Sequence, residues 1–169
     1  MELAVRREPP QIMLSTEVFN QVSEVLRDLI ASTRADFAIF YDANGHPITH
    51  AGKAGQINLS VLSALAAGDF AATMEIAKLI GEREGFKFMF QEGENRNIYL
   101  CNVGFNFLLA VVFEKAVALG LIRIFANKSV DRLRQILEKA SQAETKASEF
   151  LDVEFGALLG KEFDKTFKL

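Results

Sequence analysis

The chain has 169 residues, half of them hydrophobic and 24% charged, with a formal net charge of −3. That length and apolar content suit one domain with a real core and exclude global disorder. The charge gives no basic excess for a phosphate backbone, so nucleic acid is a poor partner, and a single cysteine excludes an internal disulfide framework.

Residues 1–14 read as a flexible leader, broken at Pro9-Pro10. They contain no hydrophobic signal region, so a cytoplasmic location is expected. Ser15 or Thr16 can cap a helix running to about Thr33, with Val18, Phe19, Val22, Leu26, Leu29 and Ile30 as its apolar stripe. Phe37 to Tyr41 is an unbroken apolar run, the pattern of a strand covered on both faces. Asp42-Ala43-Asn44-Gly45 makes a tight turn, and the return strand spans roughly His46 to Ala51. Pro47 cannot donate to a ladder, which places that strand at a sheet edge.

Asn58 or Ser60 can cap the next helix, Leu59 to Gly81. Leu59, Leu62, Leu65, Ala66, Phe70, Thr73, Met74, Ala77 and Ile80 recur at helical spacing. The same helix carries a run of small residues (Ser63, Ala64, Ala66, Ala67, Gly68, Ala71, Ala72), broken by Asp69. A helix facing only water would carry Glu, Lys and Arg there. Small side chains let another backbone come close, so this ridge points to a contact surface rather than a catalytic site.

After Gly85 the period switches to two: Phe86, Phe88 and Phe90 face one way, Lys87, Met89 and Gln91 the other. Asn97 to Val103 and Asn106 to Phe113 complete an antiparallel meander. A long helix then runs from Ala118 to about Ala143. The order α-β-β-α-β-β-β-α makes this an α+β sandwich with an antiparallel sheet of about five strands and helices on both faces. The domain spans 15–143. Residues 141–149 read as a polar linker, and 144–169 as an amphipathic extension. Phe150, Leu151, Val153, Phe155, Leu158, Leu159, Phe163 and Phe167 make it too apolar for a free tail, so it docks on its own domain or on a partner.

Candidate chemistry is sparse. Gly52-Lys53-Ala54-Gly55 is too short for a phosphate loop. His46 and His50 share a strand face about 13 Å apart, too far for one metal. Cys101 sits in an apolar strand and reads as a buried, reduced thiol. Glu82, Arg83 and Glu84 read as a solvated helix end, and Glu94-Asn95-Arg96 could rim a contact site. No catalytic residue, metal site or cofactor is expected. Phe105 to Phe113, the longest strongly apolar run, is about half of what a spanning helix needs, so no membrane insertion is expected.

The strings FAIFYDANGHPI, AKLIGE, FMFQEGENRNIYLCNVG and FLLAVVFEKAVALGLIRI together resemble the roadblock (dynein light chain) family over about Thr16 to Ala140. The small-residue run and QEGENRNIYL resemble its bacterial gliding-motility members. The resemblance implies a homodimer in which the second helix, Leu59–Ile80, lies against its mate and the third strand, Phe86–Gln91, pairs across the dimer. Leu65, Ala72, Phe86, Phe88 and Phe90 are the implied dimer residues. It further implies that the dimer binds a Ras-like small GTPase and stimulates hydrolysis by holding its switch regions, the GTPase supplying its own catalytic groups. Ser60, Ser63, Ala64, Ala67, Gly68 and Ala71 are the expected partner-binding residues. The segment Phe150–Leu169 is a candidate for reaching the GTPase and influencing nucleotide exchange. A dimeric scaffold tethering a signalling or motility complex is the alternative, and a small-ligand sensor a weaker third.

Overall fold

The computed structural model describes residues 12–166. Ser15 caps α1 (Thr16–Thr33), its Oγ accepting from the Val18 amide at 3.2 Å. The helix stops at Arg34, which turns left-handed at φ 58°. Val22, Val25, Leu26 and Leu29 are its buried stripe, while Phe19 stays 39% exposed. Most of the leader lies outside the described residues. Its last three residues are not loose: Ile12 and Leu14 pack against the core, and the Met13 amide donates to Glu144 Oε1 at 2.6 Å.

β1 (Phe37–Asp42) and β2 (Pro47–Gly52) form a hairpin. After α2 (Leu59–Leu79) come β3 (Phe88–Glu92), β4 (Arg96–Gly104) and β5 (Phe107–Glu114). All pairings are antiparallel, in the order β2-β1-β5-β4-β3. β2 is an edge strand, as Pro47 requires, and β3 is the other edge. β3 begins two residues later than the alternation suggests, which leaves Phe86 in the connecting loop. Phe105 and Asn106 both adopt positive φ, the geometry that closes the β4–β5 hairpin in two residues.

The five-stranded sheet separates two cores. On one face α1 and the first half of α3 cover Ala38, Phe40, Tyr99, Cys101, Leu109 and Phe113. On the other, α2 covers Ile39, Tyr41, Leu100, Leu108 and Ala110. Successive side chains alternate between faces, so β1, β4 and β5 must be apolar on both.

α3 differs most from the sequence reading. It is one helix, Leu119–Thr166, of 48 residues, and it runs through the stretch expected to be a linker. Ser-Gln-Ala-Glu-Thr-Lys-Ala-Ser-Glu is polar but holds no Gly or Pro, so nothing in it breaks a helix. Nor does the extension fold back onto its own domain: residues 145–162 are all exposed. The side chains of Phe163 and Phe167 lie outside the described residues.

Candidate contact site on α2 and the β3 edge

Asn58 begins α2, its Oδ1 accepting from the Val61 amide at 3.2 Å. The helix is apolar nearly all round, and its three faces do different things. The sheet face buries Ser63, Ala66, Ala67, Phe70 and Ala77. Ser63 is 0% exposed and resolves its polarity locally, donating to the Leu59 carbonyl at 2.6 Å.

A second face carries Val61, Leu65, Gly68, Ala72, Ile76 and Leu79, spaced four, three, four, four and three apart. All six are exposed: Val61 is 53% exposed, Leu65 69% and Leu79 87%. Bulky side chains stand at both ends of this stripe and Gly68 with Ala72 at its middle, so a second helix could cross closest there. A Cβ built on Gly68 meets nothing within 4 Å, so the missing side chain leaves space that the chain itself does not fill. The third face holds Ser60, Ala64 and Ala71, followed by Glu75 and Lys78, which pair at 2.5 Å.

This arrangement divides the six residues expected to bind a partner. Ser60, Ala64 and Ala71 share an exposed face. Gly68 is exposed but belongs to the Leu65–Ala72 stripe. Ser63 and Ala67 are buried against the sheet and offer a partner nothing to touch. The small-residue run alone does not distinguish the faces, because it supplies close approach to the domain's own sheet on one side and open surface on another. The sequence did not single out the stripe from Val61 to Leu79: it grouped Leu65 and Ile80 with Leu62, Phe70 and Ala77 at helical spacing, whereas Leu65 and Ile80 are exposed and Phe70 and Ala77 are buried.

Gln91 ties the free edge strand to α2, its Nε2 donating to Asp69 Oδ2 at 2.6 Å. Between them runs a groove of about 270 Å³, lined by Leu65, Ala66, Asp69, Gln91 and Leu100 among others. Phe88 and Phe90 point to the opposite face. Phe88 stacks on Tyr99 at 5.0 Å with the Arg123 guanidinium 4.9 Å from its ring, and Phe90 stacks on Phe113 at 6.3 Å. Phe86 lines a cleft beside Cys101, Val130 and Arg134. The five expected dimer residues therefore lie on two sides of the sheet, and the backbone edge of β3 connects them.

Reactive groups are few. Burial pushes the Cys101 thiol from 9.0 up to about 12, with Arg134 opposing. Burial likewise pushes the Tyr99 hydroxyl up to about 12, helped by Cys101 and opposed by Arg123. The Tyr41 hydroxyl is raised further, first by burial and then by Cys101 and Asp69. His46 Nδ1 sits 3.0 Å from Asp42 Oδ2 on the exposed hairpin. Among the described residues no group of three or more His, Cys, Asp or Glu side chains could hold a metal ion.

The fold recurs in solved proteins. MglB of Myxococcus xanthus is 34% identical and superposes with a TM-score of 0.72, covering 77% of this chain and 96% of that one. The gliding protein MglB of Thermus thermophilus is 28% identical with a TM-score of 0.71, covering 77% and 98%. An uncharacterized protein of Aquifex aeolicus is 25% identical over 131 residues, 75% of this chain and 78% of its own length. Residues 21–113, from within α1 to the end of the sheet, match the Roadblock/LC7 domain, and the chain belongs to that family.

Proposed function

We propose that this chain is a homodimeric regulator of a Ras-like small GTPase of the MglA kind, stimulating GTP hydrolysis by positioning the switch regions rather than by supplying catalytic groups. The observation that supports it most is the three-faced α2 beside an open β3 edge. The Val61–Leu79 stripe suits the mate's α2, and β3 suits its β3. That leaves Ser60, Ala64 and Ala71 of both copies as a smooth, weakly charged platform beside the hairpin Asp42–Gly45. Such a platform can hold a mobile switch segment by close contact, which is positioning rather than chemistry. The likeness to MglB at 34% identity agrees with this reading.

The test is single-turnover GTP hydrolysis by the MglA-like GTPase of the same organism, alone, with the full chain, and with Ala71→Arg. Stimulation of tenfold or more by the full chain, lost in a variant that still dimerises, supports the reading. Stimulation that survives Ala71→Arg moves the contact off this face. Tight binding with unchanged hydrolysis favours the dimeric scaffold.

A further inference from the structure

We infer that α3 is a second self-association element, by which two copies of the chain pair antiparallel along the outer face of this helix. The starting point is the unbroken helix. Ile124 and Val153 lie twenty-nine residues apart, about eight turns at 3.6 residues each, so they share one side of the cylinder. They are 55% and 71% exposed, and they are separated by about 44 Å of rise. A straight helix cannot bring its own two ends together. Two copies related by a two-fold axis across the helix can, and each then supplies both halves of the contact.

The residues between them fix the direction. Ile124, Lys128, Asp131, Gln135, Glu138, Gln142, Lys146, Glu149 and Val153 recur at intervals of three and four, and all are exposed. That spacing keeps all nine on one side of the helix, with an apolar residue at each end and polar ones between. With Ile124 opposite Val153 of a second copy, antiparallel counting sets Lys128 opposite Glu149, Asp131 opposite Lys146 and Gln135 opposite Gln142, with Glu138 beside the other copy's Glu138 at the two-fold axis. Four opposite-charge contacts, two distinct ones each made twice, outnumber that one like-charge contact. A parallel pairing sets Lys128 on Lys128 and Glu149 on Glu149, and like charges across a seam repel. None of these charged side chains makes a salt bridge within the described chain, where the ion pairs involve other residues. Lys128 only lies over the Phe125 ring at 5.2 Å. Leu121 and Phe150, both exposed, flank the two ends and add apolar area. The extension thus has an occupant written into its own helix: the first turns of α3 in another copy.

The experiment is light scattering after size exclusion on the full chain and three variants, with circular dichroism confirming helix content. Phe150→Glu with Val153→Glu changes only exposed side chains, and it should halve the assembly mass. The halving is read whether or not α2 also pairs, so this inference stands or falls apart from the proposed function. Lys128→Glu should weaken assembly at least tenfold, and Lys128→Glu with Glu149→Lys should restore it. Unchanged mass in the first variant, or a swap that fails to restore assembly, overturns the inference. In a mixture of Ile124→Cys and Val153→Cys chains, disulfides should join unlike chains. Disulfides only between two Val153→Cys chains overturn the antiparallel register.

Discussion

A side-chain carbon added at Gly45 would lie 2.5 Å from Ala64 Cα, so the tip of the first hairpin rests directly on the backbone of α2. The turn is built for this. Asp42 Oδ1 accepts from the amides of Asn44 and His46, both at 2.9 Å, and Gly45 takes φ 89°. The contact fixes the height of α2 over the sheet beside the exposed face of Ser60, Ala64 and Ala71.

Gly45→Ala therefore suffers twice, from the backbone clash and from the left-handed φ. It should cost at least about 2 kcal/mol of folding stability, read by urea unfolding. An unchanged midpoint would mean that the hairpin can lift from α2 without penalty.

Gly68→Leu should behave in the opposite way. The side chain has open space in the isolated chain, and leucine is a better helix former than glycine by up to about 1 kcal/mol. Folding stability should hold or rise while association through α2 weakens at least tenfold, as measured by sedimentation at falling concentration. Undiminished association would place the helix crossing elsewhere.

Ser63→Arg and Ala71→Arg, both on α2, should separate fold from function. Ser63 is fully buried, so an arginine there carries an unpaired charge into the sheet interface and should destabilise by roughly 3 kcal/mol or more. Ala71 is exposed, and its arginine variant should unfold within about 0.5 kcal/mol of the parent. Thermal melts of the two proteins decide the point.

The buried thiol gives stability an alkaline limit. Cys101 rises from 9.0 to about 12 on folding, so between those values the unfolded chain has lost a proton that the folded chain keeps. Unfolding is then favoured as pH rises, so the contribution is intact below pH 9 and declines toward 12. Tyr99 adds the same sign, rising from 10.0 to about 12. Chemical denaturation at pH 8, 9.5 and 11 should show falling stability, with a shallower fall in Cys101→Ala. Equal slopes would remove Cys101 as a cause.

Local signals carried the element order. Ser15 and Asn58 each have an acceptor for the first-turn amides, Pro47 belongs only on an edge, and the apolar run Phe37–Tyr41 needs cover on both sides. The site was half legible. The resemblance named Leu65 and Ala72 of the Val61–Leu79 stripe, but several apolar stripes run along α2, and nothing local says which one the sheet takes. Ser63 and Ala67 read as surface because small residues serve an internal crossing and an open platform equally well.

What the sequence by itself determined is the succession of helices and strands and the antiparallel hairpins, because capping, alternation and turn chemistry act over a few residues, while its motif strings carried the resemblance to the family. What only the tertiary structure decided is direction. It set which face of α2 meets Leu100 and Leu108, which side of the sheet receives Phe88 and Phe90, and that α3 runs past the domain rather than folding back. Those outcomes depend on contacts between residues far apart in the chain, where the sheet's two apolar faces compete for the same side chains and no local preference chooses between them.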